Sequence, residues 1–208
     1  MKYRIKSQLY SDAEAQKKTG AILDDCGPSS CAAAASWVHG YAPDFTAADG
    51  VAAKARATGF VEKQGVSDNG SSLSELSKTV REMGCKARPA QDWQDVLASI
   101  KGGDAGLLWV QGPIGYPKQA LSKWHRNWVK YWEKKDPAVI AAGYGHMTSF
   151  AYDTEAQTFV FADPTFDERD PKEQYAVPVT EAELKAIASG KPGSPASHVV
   201  IVTKKENQ

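Results

Sequence analysis

The sequence predicts an α+β fold, and three observations carry that expectation. Helix signals with clear start and stop residues crowd the first half of the chain. Period-2 and short apolar runs bounded by turn residues dominate the last third. No regular alternation of strand and helix, which would indicate a parallel sheet, runs through the 208 residues. The expectation is a helical half packed face to face on an antiparallel sheet, in one domain over residues 1–208, since no composition shift marks a boundary and no internal repeat is present.

The elements are justified in chain order. After Asp25-Cys26-Gly27-Pro28, the run Cys31–Val38 reads as helix, with Pro28 suited to a first helical position and Gly40 as the stop. Its four consecutive alanines suit a helix that neighbours approach closely. A weaker helix is expected over Thr46–Ala57. Ser72-Leu73-Ser74-Glu75 is a capping box opening a helix through Leu76, Val80 and Met83, closed by Gly84. A further helix runs from Asp92 to Gly102-Gly103. Gly106–Gln111 is a short apolar run between glycines, a buried strand. Met147–Tyr152 and Thr158–Ala162 form a hairpin across Asp153–Gln157. Thr180–Glu183 caps a last short helix, and His198–Val202 is a final strand.

Composition removes several classes of function. Apolar residues make up 42% of the chain and charged residues 24%, enough for a packed core and unlike a disordered chain. The formal net charge is +0, which excludes a whole-domain basic footprint for nucleic acid. No apolar run reaches the roughly 20 residues that span a bilayer. Met1–Lys6 is basic but no apolar stretch follows it, so the expectation is synthesis in the cytoplasm without a signal peptide.

Three cysteines do not make a disulfide framework. They are separated by 5 and 54 positions with no histidine at zinc-finger spacing, so no metal or other cofactor is expected. A Cys26–Cys31 bridge is poor, because five helical residues rise roughly 7.5 Å. Cys31 among alanines and Cys85 at a strand start read as small buried hydrophobes. Cys26 stands where a loop enters a helix. Unpaired backbone N–H groups and the positive end of the helix dipole there favour a thiolate and can receive an oxyanion. The plain alternative is that Cys26 fills space beside a Gly-Pro turn.

A thiol nucleophile needs a base and a group that orients the base. His39 at a helix C-terminus reads as a capping residue. His125, among Lys123, Arg126 and Lys130, reads as part of a solvated helix face. His198 opens the last strand without supporting neighbours. His146 follows Gly143-Tyr144-Gly145 at the start of the hairpin, and Asp163 follows its second strand, so the two return to the same end. A carboxylate there fixes the imidazole tautomer. The alternatives are a half-buried strand histidine and a turn aspartate before Pro164.

Asp25-Cys26-Gly27-Pro28-Ser29-Ser30, Gly145-His146-Met147 and Ala162-Asp163-Pro164 together resemble the bacteriocin-leader-processing peptidases (peptidase family C-thirty-nine) of the papain-like clan of cysteine peptidases. The order Cys, His, Asp and the separations of 120 and 17 positions are similar to that family. The Gly70–Leu76 helix entry and the Leu107–Val110 strand extend the likeness over most of residues 20–165. The resemblance implies a papain-like fold with Cys26 as nucleophile, His146 as base and Asp163 as orienting acid. It also implies an oxyanion-stabilising Gln shortly before the cysteine. Here Gln16, ten positions ahead, is the nearest, so either the loop is longer or the backbone N–H of Cys26 carries that role.

Exporter members of the family are fused to a membrane transporter, which this chain lacks in sequence. Similar free-standing or lysin-associated domains occur in bacteriophages of actinobacteria, where they cut peptide links of the cell wall. The resemblance therefore implies a peptide or peptidoglycan stem-peptide substrate and action at the wall after release, as an endolysin component. Two other functions stay open: a catalytically inactive papain-like domain that binds wall or peptide, and an amidase or acyltransferase of the Cys-His class.

Residues of about 112–144 look like an insertion. Trp124, Trp128 and Trp132 recur at helical spacing, surrounded by Lys118, Lys123, Arg126, Lys130, Lys134 and Lys135 against Glu133. One reading packs this stripe on the body with the lysines in solvent. The other makes it an arm, with Trp124 and Trp128 touching substrate and the basic face meeting an anionic polymer.

Overall fold

The computed structural model describes residues 26–40, 73–167 and 170–205. The expected helix over Thr46–Ala57, the capping residue Ser72 and Gln16 lie outside them. The elements are helices α1 (Cys26–His39), α2 (Leu73–Glu82), α3 (Trp93–Lys101), α4 (Lys123–Lys135), α5 (Pro137–Ala142) and α6 (Glu181–Ser189). The strands are β1 (Cys85–Pro89), β2 (Ala105–Gly112), β3 (Tyr144–Asp153), β4 (Thr158–Ala162), β5 (Val177–Val179) and β6 (Val199–Lys204). The six strands form one antiparallel sheet in the order β1-β6-β2-β3-β4-β5, so the fold is α+β.

The helices cover both faces of the sheet, where the sequence suggested two halves meeting at one face. Strand alternation explains it, because every strand near the centre is apolar on both sides. Leu107, Met147, Val200 and Val202 point to α1 and α2, where they meet Ala32, Ala34, Ala35, Leu76 and Val80. Leu108, Val110, Phe150, Phe161, Val199 and Ile201 point the other way, to Val96 and Ile100 of α3 and to Leu184 and Ile187 of α6. Each such fully buried Leu, Ile or Phe contributes about 1.5–3 kcal/mol of transfer free energy. Gly106 lies under the Phe150 ring, and a Cβ there would stand 2.2 Å from the ring, so only glycine admits this cross-strand packing.

Local signals set the element ends. Asp92 caps α3 by accepting from the Asp95 N–H, and Arg88 holds the Asp95 carboxylate with two bonds of 2.6 and 2.7 Å. Thr180 and Glu183 form a complete capping box on α6. Ser122 caps α4, accepting from the His125 N–H at 3.0 Å. Asp136 caps α5, with Pro137 opening the helix. Helix α1 begins at Cys26 itself, two residues before Pro28. A proline within the first turn removes an N–H that has no intrahelical partner, so the helix tolerates it.

Helix α1 is the buried centre. Cys31, Ala32, Ala34 and Ala35 are fully buried, and Ala33 packs with Ala151, Val160, Ala162 and Phe166. Side chains this small let the helix backbone lie close against β3. Among the described residues, no helix is long and apolar enough to cross a membrane.

Candidate active site

The site forms where α1 begins, β3 begins and β4 ends. The hydroxyl of Ser30 donates to the carbonyl of Met147 at 3.0 Å, which ties α1, one turn after Cys26, to β3 one residue beyond His146. Strand β4 stops at Ala162, three positions short of the partner that His146 would need. The edge of β3 at His146 is thus free of a ladder partner on that side. The positive-φ Gly143 makes the turn into β3, and a Cβ there would stand 2.9 Å from the Gly112 carbonyl.

His146 Nε2 donates to Asp163 Oδ1 at 3.0 Å, and both side chains are buried. Cys26 faces the same imidazole and acts with Asp163 to hold the His146 proton. With Nε2 taken by Asp163, Nδ1 is the nitrogen left for the thiol. Cys26 is half-buried, the most accessible of the three free cysteines. The sequence candidates Cys26, His146 and Asp163, far apart in the chain, therefore stand side by side.

Asp163 is held by more than His146. Its Oδ1 accepts from the Thr165 N–H at 2.8 Å and the Thr165 hydroxyl at 2.7 Å, and its Oδ2 accepts from the Tyr116 hydroxyl at 2.9 Å. Burial works to raise this carboxyl, but the charges of His146 and His125 and the bonds from His146 and Thr165 hold it well below the usual carboxylate range. Burial likewise works to lower His146. The Asp163 carboxylate, its hydrogen bond and Cys26 overcome it and hold the imidazolium up to about 10. Burial, with the charge of Asp163 adding to it, keeps the Tyr116 phenol protonated.

His125 corrects the sequence reading. It is fully buried, where a solvated helix face was expected. The error lay in grouping it with its charged sequence neighbours. His125, Trp128 and Trp132 follow the i, i+3, i+7 spacing of an inward face, while Lys123, Arg126 and Lys130 are exposed. His125 meets Tyr144 through Nε2 and the hydroxyls of Ser122 and Thr165 through Nδ1, both at 3.2 Å. Burial pushes it down to about 4, and the charges of His146 and Arg126 act the same way against the pull of Asp163.

The other histidines are committed elsewhere. His39 Nε2 lies 3.1 Å from the Met83 carbonyl and 3.5 Å from Cys85 Sγ. His198 ends a 3-10 turn, Pro195–His198, rather than opening the strand, and its Nε2 donates to the Pro192 carbonyl at 3.0 Å. Cys31 is fully buried and its thiol is pushed far up, while burial pushes Cys85 up to about 11.

Comparison of the chain with protein-family models, with curated proteins and with solved structures returns no match. The chemistry rests on the side chains themselves.

His125, His146 and Asp163 place one ligand atom each within 4.8 Å of one another, a grouping that could take a cation. Each donor atom of the three already has a protein partner, and a metal would have to displace the His146–Asp163 bond and the hydroxyl contacts of His125. The donor set fits a hydrogen-bonded triad better than a metal centre.

Trp124, Trp128 and Trp132 are half-buried on α4. Trp124 and Trp128 pack on Tyr144 at ring distances of 5.9 and 5.3 Å, and Tyr144 lies 5.5 Å from His146. The stripe thus backs an aromatic wall of the site. Arg126, part of the expected basic face, is drawn aside: it donates to the Leu121 carbonyl and pairs with Glu173 at 3.3 Å. Sequence reasoning missed Ser30, Tyr116, Ser122, Tyr144 and Thr165. Thr165 two residues after Asp163 carried a usable signal, since aspartate commonly accepts from the backbone two residues on.

Proposed function

We propose that the protein is a cysteine peptidase of papain-like architecture, with Cys26 as nucleophile, His146 as acid and base, and Asp163 as the group that orients His146. The observation that carries the reading is a half-buried cysteine at a helix N-terminus beside an imidazole whose Nε2 is held by a buried carboxylate at 3.0 Å.

The Cys26 thiol proton passes to His146 Nδ1 as the sulfur attacks the carbonyl carbon of a peptide bond. The carbonyl electron pair moves to oxygen, and the N–H groups at the start of α1 receive that oxyanion. His146 gives that proton from Nδ1 to the leaving amine as the C–N bond breaks, leaving a thioester on Cys26. Water then attacks the thioester, His146 takes its proton, and the sulfur leaves as the carboxylic acid is released. Asp163, held by Thr165 and Tyr116, keeps Nε2 protonated throughout.

The sequence resemblance supports peptide links of the bacterial cell wall as substrate. Purified protein incubated with actinobacterial peptidoglycan should release fragments whose masses each show one water added across one amide bond, and Cys26→Ala should release none. Intact wall after prolonged incubation, or equal release by Cys26→Ala, overturns the proposal.

A further inference from the structure

Resting on that reading, we infer that His125 is a positioning residue of the site, tying Asp163 on one side and the Tyr144 ring on the other into one buried network.

The direction of each hydrogen bond follows from proton bookkeeping. An ionised carboxylate only accepts, so the Thr165 hydroxyl spends its proton on Asp163 Oδ1, 2.7 Å away. The Thr165 oxygen can then only accept from its other two neighbours, Ser122 Oγ at 2.8 Å and His125 Nδ1 at 3.2 Å. His125 Nδ1 must therefore carry a proton, or two lone pairs would face each other in a dry site. Neutral His125 has one N–H, so its Nε2 is a lone pair and accepts from the Tyr144 hydroxyl. The result is one consistent chain: Tyr144 donates to His125, His125 to Thr165, and Thr165 to Asp163. Every polar group in it is satisfied, and each bond polarises the next toward the carboxylate.

Both ends of the chain touch the triad. At one end Thr165 supplies two of the bonds that fix Asp163. At the other, the Tyr144 ring stands 5.5 Å from His146, backed by Trp124 and Trp128. His125 itself meets His146 edge-on, with ring centres 6.0 Å apart. The groups facing His125 are Asp163 and His146 from the sheet end, Tyr116 and Tyr144 as phenols, the Ser122 and Thr165 hydroxyls, and Arg126 on its own helix. Helix α4 enters this cluster through the Ser122 cap, and Glu173 fixes its start by accepting from the Lys123 N–H at 2.7 Å. The segment that looked like an insertion thus supplies part of the catalytic support.

The test compares His125→Phe, which keeps the ring and removes both nitrogens, with Thr165→Val and Thr165→Ser. Turnover of a soluble peptide is normalised to alkylatable Cys26, and the His146 imidazole is followed against pH by NMR. We expect kcat of His125→Phe to fall about tenfold with KM nearly unchanged, and the His146 titration to move down by about one pH unit. Thr165→Val should behave alike, and Thr165→Ser, which keeps the hydroxyl, should restore both readouts. Wild-type kcat per active thiol and an unmoved His146 titration in His125→Phe overturn the inference. If that variant does not fold, an unmoved titration in Thr165→Val overturns it equally. The titration needs no turnover, so it separates failure of the inference from failure of the peptidase reading, which Cys26→Ala tests alone.

Discussion

Ser30 and Met147, 117 positions apart, are joined by a buried 3.0 Å hydrogen bond from hydroxyl to carbonyl. Ser30 lies one helical turn after Cys26, and Met147 follows His146 directly. This bond, with the alanine packing of α1 on β3, therefore fixes how the helix that carries the thiol sits on the strand that carries the imidazole. Position matters here more than energy, since misplacing a reacting pair by an ångström costs far more rate than one hydrogen bond costs stability. Ser30→Ala should lower stability by about 1–2 kcal/mol and kcat by about tenfold or more, with secondary structure retained. Circular dichroism with denaturant titration and steady-state kinetics check the two effects. Unchanged kcat would mean that the alanine packing of α1 alone sets the register.

Thiol reactivity should be confined to Cys26. Burial holds the thiols of Cys31 and Cys85 protonated, and only thiolates alkylate at a useful rate. Iodoacetamide at neutral pH should label Cys26 first and abolish turnover, as read by peptide mass mapping over time. Faster labelling of Cys85 would move the reactive centre to its contact with His39.

Replacing members of the triad should separate chemistry from orientation. His146→Ala should reduce kcat by about 10³-fold or more. Asp163→Asn should keep the fold, because its amide oxygen can still accept from His146 and Thr165 while the Tyr116 hydroxyl turns to accept from the new NH2. It should cost a smaller factor, about 10–10²-fold. It should also lower the pH at which His146 loses its proton, since the carboxylate charge is what offsets burial. Thermal melts and kcat–pH profiles of the two variants decide it. An Asp163→Asn variant with an unmoved profile would remove Asp163 from the mechanism.

Stability should respond to pH in two opposite ways at neighbouring histidines. His125 is pushed down to about 4 from 6.5, so the unfolded chain takes up its proton first as pH falls. Its contribution is intact above about 6.5 and is lost progressively toward 4, roughly 3 kcal/mol in all. His146 is held up to about 10, so its contribution is intact below about 6.5 and is lost as pH rises through 10. The melting temperature should thus peak near neutrality and fall on both sides. In His125→Phe the acid limb should flatten between pH 6.5 and 4 while the alkaline limb stays. An acid limb of wild-type steepness in that variant would trace the loss to carboxylates such as Asp163 alone.

Much of the fold was legible because local chemistry marks it. Asp92, Thr180 with Glu183, and the Asp153–Gln157 turn all act within a few residues, so they read correctly from sequence. The hairpin even brought His146 and Asp163 to one end by strand counting. What did not read were features decided across the chain. Strand β5 is three residues long and owes its pairing to β4, not to its own pattern. Coverage of both sheet faces depends on where α3 and α6 pack. His125 was hidden because a helix face is judged from its neighbours in sequence, and those neighbours are cations that turn outward. Its true partners, Tyr144 and Thr165, lie 19 and 40 positions away.

The tryptophan stripe should prove to be a packing face, and the two earlier readings of it differ on separate measurements. Trp128 touches Trp132 at 6.5 Å and Tyr144 at 5.3 Å, so truncating it removes apolar burial and the backing of the ring beside His146. Trp128→Ala should lower Tm by about 2–6 °C, from about 1–2 kcal/mol of lost burial. It should also lower turnover of a small soluble peptide, because Tyr144 then loses part of its wall. Lys130 and Lys134 point to solvent and are the fair test of a basic arm, whereas Arg126 is held by Glu173. The double change Lys130→Gln with Lys134→Gln should alter neither small-peptide turnover nor release from intact wall by more than about twofold, since exposed charges are largely screened beyond about 8–10 Å near 0.15 M salt. A selective loss on intact wall in that double variant, reproduced by added salt in the wild type, would instead make α4 an arm that meets an anionic polymer.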